Sequence, residues 1–357
     1  MKTKPMTKFA ILALSLVLVA CAGGGSEEAG CPAIDGREIN VVATTPMIGE
    51  FVSQVGGEKI NLTVLMPPEA NPHTYEPAPQ DAGTIAEADL VFYTGLLYEP
   101  AALVKLLENS ACSTDILSEV GESVFPIEFK EGGHDDHDDH DDHDDEEGHD
   151  DEEGHDDEEG HDDEEGHDDE EGHDDHEGHN HGAYDPHFWF DPSRVAYAAE
   201  YIESRLIEFD PENESSYKSS ADSFVSELND LTKQVSELIS TVPSQNRKLI
   251  TTHESLGYLE AKFGLEVLST IIPSLNSANE ISPSDLAGVI DVIEDNNVKV
   301  IFIESEAPSV YSETIVAETG IKSVTGLYVE TLKPGQSYSE FLISNVTLIT
   351  ENLQDTD

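Results

Sequence analysis

Basic residues are scarce in this chain of 357 residues: 17 Lys and Arg stand against 76 Asp and Glu, a formal net charge of −59. So little positive charge cannot neutralise a phosphate backbone, which excludes nucleic acid as a partner. Long apolar runs are missing too. Residues 9–20 form the one extended apolar stretch, at twelve residues too short to cross a bilayer as a helix. No later segment is long and apolar enough to span. Cysteine occurs only at positions 21, 31 and 112. No motif supplies the general base, proton shuttle or substrate pocket of a hydrolytic or hydration enzyme, so an enzyme is not expected. Histidine is nearly absent outside one tract: of 15 in the chain, only His73, His187 and His253 lie elsewhere.

The N-terminus sets the compartment. Lys2, Lys4 and Lys8 precede the apolar stretch, as in a signal peptide over residues 1–20. Leu18-Val19-Ala20-Cys21 resembles the lipobox of bacterial and archaeal lipoproteins, which implies lipidation of Cys21. Residues 21–36, rich in Gly, Ser and Glu at their start, read as a flexible tether. The protein is therefore expected outside the cytoplasm, anchored to the cell membrane in a periplasmic or outer-face position. An oxidising compartment permits a bond between Cys31 and Cys112, and sequence leaves open whether it forms.

Residues 134–181 hold 29 acids, twelve histidines and no Lys or Arg. The histidines are His134, His137, His140, His143, His149, His155, His161, His167, His173, His176, His179 and His181. From His143 the unit His-Asp-Asp-Glu-Glu-Gly repeats five times. Nothing apolar interrupts the tract, so it cannot form a core and is expected to be disordered. A solvating linker would not need histidine every three to six residues, whereas weak, pH-dependent collection of metal ions would.

The rest of the chain is long enough for two α/β domains. In the first half, β-rich runs at 38–45, 59–66, 89–94 and 123–127 alternate with helical runs at 46–55, 79–88 and 100–109. In the second half, strands at 248–252, 266–271, 299–303 and 322–327 alternate with helices at 254–263, 283–296, 310–319 and 338–352. Strand–helix alternation implies mostly parallel sheets. Between the halves, Tyr217, Ala221, Phe224, Leu228, Leu231, Val235, Leu238 and Val242 make an apolar seam of helical period, read as one rigid helix bridging two domains. The expected organisation is an N-terminal lobe over 37–190 that contains the tract, helices over 191–245, and a C-terminal lobe over 246–357.

His73 lies in Asn71-Pro72-His73-Thr74-Tyr75-Glu76-Pro77 after the second strand. His187 lies in Asp185-Pro186-His187-Phe188-Trp189-Phe190-Asp191-Pro192. His253 lies in Thr252-His253-Glu254-Ser255 after a strand. His73 and His253 thus sit at or past strand C-termini, where open α/β sheets place ligands. Prolines stiffen the loops around His73 and His187. Three isolated histidines in such loops point to one divalent metal site rather than to three separate core residues.

These segments resemble the zinc-binding solute-binding proteins of ABC transporters, the cluster A-I family. Further marks are Ala88-Asp89-Leu90-Val91-Phe92-Tyr93 followed by Gly95, Thr252-His253-Glu254-Ser255-Leu256-Gly257-Tyr258, Ile281-Ser282-Pro283-Ser284-Asp285-Leu286 and Gln336-Ser337-Tyr338-Ser339-Glu340-Phe341. The resemblance covers nearly the whole mature chain, including a His-rich insert before the second histidine. It implies two α/β lobes with mostly parallel sheets, joined by one long rigid helix, with the metal in the interlobe cleft. It also implies His73, His187 and His253 as Zn²⁺ ligands, an ABC permease as partner, membrane association through the lipid anchor and a monomer. Manganese-type relatives carry Glu where His253 stands, and a third imidazole suits Zn²⁺ better than Mn²⁺. The chain also departs from the family pattern, because Gly326 stands at about the place where many members carry an Asp ligand. The fourth ligand is then water, Glu69, Glu330 or a carboxylate of the tract. Alternatives to uptake are a cell-surface metal buffer or adhesin, or uptake of manganese or another divalent metal.

Overall fold

A computed structural model of the protein describes residues 31, 34, 36–68, 70–129, 184–274, 276, 281–305 and 310–354. The signal segment, Cys21 with most of the tether, Glu69 and the tract 134–181 lie outside the described residues.

Two four-stranded sheets, all parallel, form the frame. The first contains β1 (Ile39–Ala43), β2 (Ile60–Val64), β3 (Leu90–Tyr93) and β4 (Leu117–Glu119), in the order β2-β1-β3-β4. The second contains β5 (Lys248–His253), β6 (Glu266–Ile272), β7 (Val300–Glu304) and β8 (Lys322–Leu327), in the equivalent order β6-β5-β7-β8. Ile39 pairs with Ile60 and Val41 with Leu90 in the first sheet, and Val300 with Lys322 in the second. Because every strand runs the same way, each sheet directs all its C-terminal ends to one edge.

The helices are α1 (Pro46–Gly56), α2 (Pro79–Ala86), α3 (Ala101–Ser110), α4 (Pro192–Phe209), α5 (Glu214–Ser240), α6 (Gly257–Phe263), α7 (Pro283–Asp295), α8 (Val310–Thr319) and α9 (Tyr338–Gln354). Their starts follow local chemistry. Proline occupies the first turn of α1, α2, α4 and α7, where a missing N–H costs nothing. The Thr45 and Asp191 side chains accept from Ile48 N and Ser193 N, and Ser282 forms a reciprocal capping box with Asp285.

Two of the expected elements change. A fourth strand at 123–127 does not form: Gly121–Val124 is a 3-10 turn and β4 lies earlier. Phe125 has φ of 53° and Pro126 has no N–H, so neither can extend a ladder. The helix expected from 254 starts only at Gly257, because residues 254–256 form the turn that leaves β5.

The 27 residues of α5 span about 40 Å at the usual rise per residue. The helix packs against α4, α1 and α9. Its buried side chains are Tyr217, Ala221, Phe224, Leu228, Leu231, Val235 and Ile239. Ile239 therefore replaces Leu238 at the end of the seam. Leu238 is half-buried, since a step of four from Val235 keeps the 3.6-residue period in phase. One continuous core joins β1, α1, α4, α5, α9 and Leu327 of β8, so both sheets rest on the same helical spine. Cys31 and Cys112 form a disulfide that ties the chain entry to the end of α3. On the chain-entropy account, a closed loop of this size stabilises by about 4.5 kcal/mol.

Leu228→Ala should lower unfolding free energy by about 2–5 kcal/mol, as for other buried leucines. Glu227→Ala, on the exposed face one residue away, should stay within about 0.5 kcal/mol. Denaturant unfolding of the two variants checks this, and equal losses would contradict the packing described for α5.

Candidate metal centre

The sheet edges deliver the site. His73 sits in the 3-10 turn Pro72–Thr74 beyond β2, where the Asn71 side chain accepts from His73 N at 2.9 Å. His253 is the last residue of β5. Glu330 follows β8 by three residues. Only His187 comes from outside a strand end: it precedes the turn Phe188–Phe190, whose three aromatic side chains are wholly buried. That turn is stitched to the chain around Glu330. Trp189 Nε1 donates to Val329 O at 2.8 Å, and Tyr338 Oη donates to Trp189 O at 2.7 Å.

His73, His187, His253 and Glu330 each offer one ligand atom, and these atoms lie within 4.8 Å of one another. Glu330 Oε1 is 3.1 Å from His73 Nε2 and 3.0 Å from His253 Nε2, and Oε2 is 3.4 Å from His187 Nε2. His187, His253 and Glu330 have essentially no solvent exposure. Despite the short distances, His187 Nε2 and His253 Nε2 make no hydrogen bond. Proximity and alignment disagree here, and alignment is the better guide to a hydrogen bond. These nitrogens and the carboxylate point at a shared centre more than at each other, which is the geometry of a coordination shell. Orphaned buried nitrogens are costly unless something satisfies them.

The opposite ring nitrogens are anchored. His187 Nδ1 lies 2.8 Å from Asp185 Oδ1, which also accepts from His187 N at 2.8 Å. His253 Nδ1 contacts Glu304 Oε2, and Glu304 Oε1 accepts from His253 N at 3.1 Å and from Ser255 Oγ at 3.3 Å. A carboxylate on Nδ1 fixes the neutral ring with its Nε2 lone pair toward the centre and raises its basicity. Tyr98, on the loop after β3, places its hydroxyl 3.0 Å from both Glu330 Oε2 and Glu330 O. A cavity of about 620 Å³ opens beside His73 and Tyr98, lined also by Leu97, Lys105 and Glu119.

Electrostatics follow from burial and charge together. Burial alone would pull His187 down, but the Asp185 and Glu330 carboxylates outweigh it and push the imidazole up to about 9. Burial likewise opposes charge on His253, and Glu304 and Glu330 overcome it, raising its pKa well above the ordinary value. Burial would raise Glu330, yet His73, His253 and His187 hold it well below the usual carboxylate range.

The structure thus brings His73, His187, His253 and Glu330 together. Glu69 and the tract histidines lie outside the described residues. Gly326 contributes no donor; the chain runs on through buried Val329 to Glu330 instead. Asp185, Glu304 and Tyr98 were missed as site residues. Glu304 ends β7, one residue past the strand expected at 299–303, and a buried acid at a strand C-terminus is the signal that could have found it.

Residues 41–352 match the family described as zinc-uptake complex component A, periplasmic. Among curated relatives, the high-affinity zinc uptake system protein ZnuA of Bacillus subtilis is 27% identical over 355 residues, covering 97% of this chain and 96% of that protein. The manganese ABC transporter substrate-binding lipoprotein PsaA of Streptococcus anginosus is 25% identical over 360 residues, covering 98% and 99%. Among solved structures, the periplasmic zinc-binding protein TroA of Treponema pallidum superposes with a TM-score of 0.69 at 20% identity, over 88% of this chain and 99% of that one.

An ion held by these nitrogens must displace the protons that the surrounding carboxylates favour. Calorimetry at pH 7 in buffers of different ionisation enthalpy should show protons released on binding, and none released would contradict the site. In the metal-free protein, the raised pKa of His187 contributes stability that is full below 6.5 and lost as pH rises through about 9. Unfolding measured across that range should therefore show falling stability, and the fall should be smaller with the ion bound.

Proposed function

The chain belongs to the family of periplasmic zinc-uptake complex A components, which are metal-capturing, non-enzymatic subunits of ABC transporters, and from that premise we propose that it captures Zn²⁺ outside the cytoplasm and delivers it to an ABC permease. The observation that carries the choice of zinc is the donor set. Three imidazoles and one carboxylate within 4.8 Å make a compact, nitrogen-rich shell of four, as Zn²⁺ favours, whereas Mn²⁺ favours more oxygen donors. His73, His187, His253 and Glu330 are the proposed ligands. Glu330 takes the fourth place that sequence left open, and its charge partly offsets that of the ion.

The protein acts in this reading as a monomer tethered through Cys21, over boundaries of 37–190, 191–245 and 246–357 for the two lobes and the helices between them. The tract 134–181 serves as an accessory that raises zinc concentration near the cleft. His73 and His187 bind from the N-terminal side and His253 and Glu330 from the C-terminal side, so an ion links the lobes. Its presence favours the closed arrangement by differential binding, which is the signal a permease can read. The spine of α5 and the continuous core keep that movement small.

Manganese uptake is the second reading, favoured by the likeness to a relative named for manganese. Native mass spectrometry of the mature protein lacking 134–181 separates these readings and tests the surface-buffer alternative. One chelator-resistant Zn²⁺, lost on His253→Ala and not displaced by equal Mn²⁺, is the expected outcome. Retention of Mn²⁺ in preference would favour the second reading. With no retained ion, the tract would be the main binder and the protein a buffer. Restoration of zinc-limited growth by the full-length protein, in cells deprived of it, tests delivery.

A further inference from the structure

We propose that Tyr98 is a specificity-determining residue: its hydroxyl occupies Glu330 Oε2, confines the carboxylate to one coordinating oxygen, and so holds the centre at four donors. This rests on the reading of His73, His187, His253 and Glu330 as a metal site.

The two oxygens of Glu330 have different surroundings. Oε1 faces His73 Nε2 at 3.1 Å and His253 Nε2 at 3.0 Å. Oε2 lies 3.4 Å from His187 Nε2 and closer, at 3.0 Å, to the Tyr98 hydroxyl, which is also 3.0 Å from the Glu330 carbonyl oxygen. The single phenol proton is shared between these two acceptors, so Tyr98 bridges the carboxylate and the backbone of that residue. A phenol that donates to Oε2 draws density from that oxygen and disfavours a second bond from it to the ion. A one-oxygen Glu with three imidazoles gives the tetrahedral count that suits Zn²⁺. A two-oxygen Glu would give five donors, nearer to what harder Mn²⁺ takes.

The loop that carries Tyr98 is built as though its placement matters. Gly95, Leu96 and Leu97 have consecutive φ of 76°, 53° and 62°. Left-handed leucines cost roughly 1–2 kcal/mol each, and such strain persists only where surroundings over-determine it. Glu99 does this from one side: its buried carboxylate accepts from Thr44 Oγ1 at 2.7 Å, Thr94 N at 2.7 Å and Gly95 N at 2.9 Å. Glu119 Oε1 accepts from Leu96 N at 2.9 Å on the other. The ring of Tyr98 is further held edge-on to His73, His187 and Trp189, with centroids 5.1, 5.9 and 5.3 Å away. A hydroxyl positioned by this much structure is placed to within the tolerance that metal geometry demands.

Tyr98→Phe removes the hydroxyl and keeps the ring. The chain has one Trp, Trp189, 5.5 Å from His187, so its fluorescence follows the cleft in the full chain. Zn²⁺ and Mn²⁺ are titrated into wild type and Tyr98→Phe and their apparent affinities compared as a ratio. The expected result is a shift of the ratio toward Mn²⁺ by roughly tenfold or more, within the range by which outer-shell partners alter metal sites. A shift below threefold, or equal weakening of both ions as a merely structural role would give, overturns the assignment. A second measurement does not need the variant to fold. Co²⁺ added below one equivalent to wild type should show the intense visible bands of four-coordination, and weak six-coordinate bands overturn the proposal. Failure of any ion to change Trp189 fluorescence in wild type overturns the metal site itself together with this inference. An unshifted ratio with tight binding overturns the role of Tyr98 alone.

Discussion

Glu330 is a buried anion, and the rest of the centre depends on keeping its charge balanced. A carboxylate without solvent is expensive unless it is paired. Here the balance comes from three imidazoles, two of which are themselves backed by the carboxylates of Asp185 and Glu304. With the three rings neutral, the three carboxylates of the cluster are therefore uncompensated. Protons can correct that imbalance, as the raised His187 and His253 show, and a divalent cation corrects it better. Affinity for a cation is thus built into the charge count before any question of which metal arises.

Much of this was legible in residues. Strand–helix alternation with proline at helix starts carried the two parallel sheets and most of the helices, because those signals are local. His73, His187 and His253 stood out by their rarity. The positions of Glu330, Asp185, Glu304 and Tyr98 were harder to read, for a physical reason. Each acts through a contact with a residue distant in the chain or through a single oxygen, and acids are too abundant here to be distinctive. Glu330 lies 257 residues from His73, and only the stacking of two sheet edges brings them together. The edge strand β4 failed locally as well: three residues long, it carries too little periodicity to compete with the apolar run at 123–127.

The two sheets share one strand order, and that likeness explains how a single ion can be reached from both. Parallel strands present their C-terminal ends together, and donors from both halves meet at one centre. His73 and Tyr98 follow β2 and β3 of one half, whereas His253 ends β5 and Glu330 follows β8 of the other. The helical spine sets the distance between the edges. Substitutions along α5 can therefore alter the centre without touching it, by changing how the two edges meet.

His187, His253 and Glu330 have essentially no exposure, and this bears on speed as well as affinity. An ion cannot reach donors that solvent cannot reach, so entry waits on a thermal opening of the cleft. The capture rate should then level off as ion concentration rises, at the frequency of that opening. Under such gating, ions that arrive equally often are sorted by how long each survives inside.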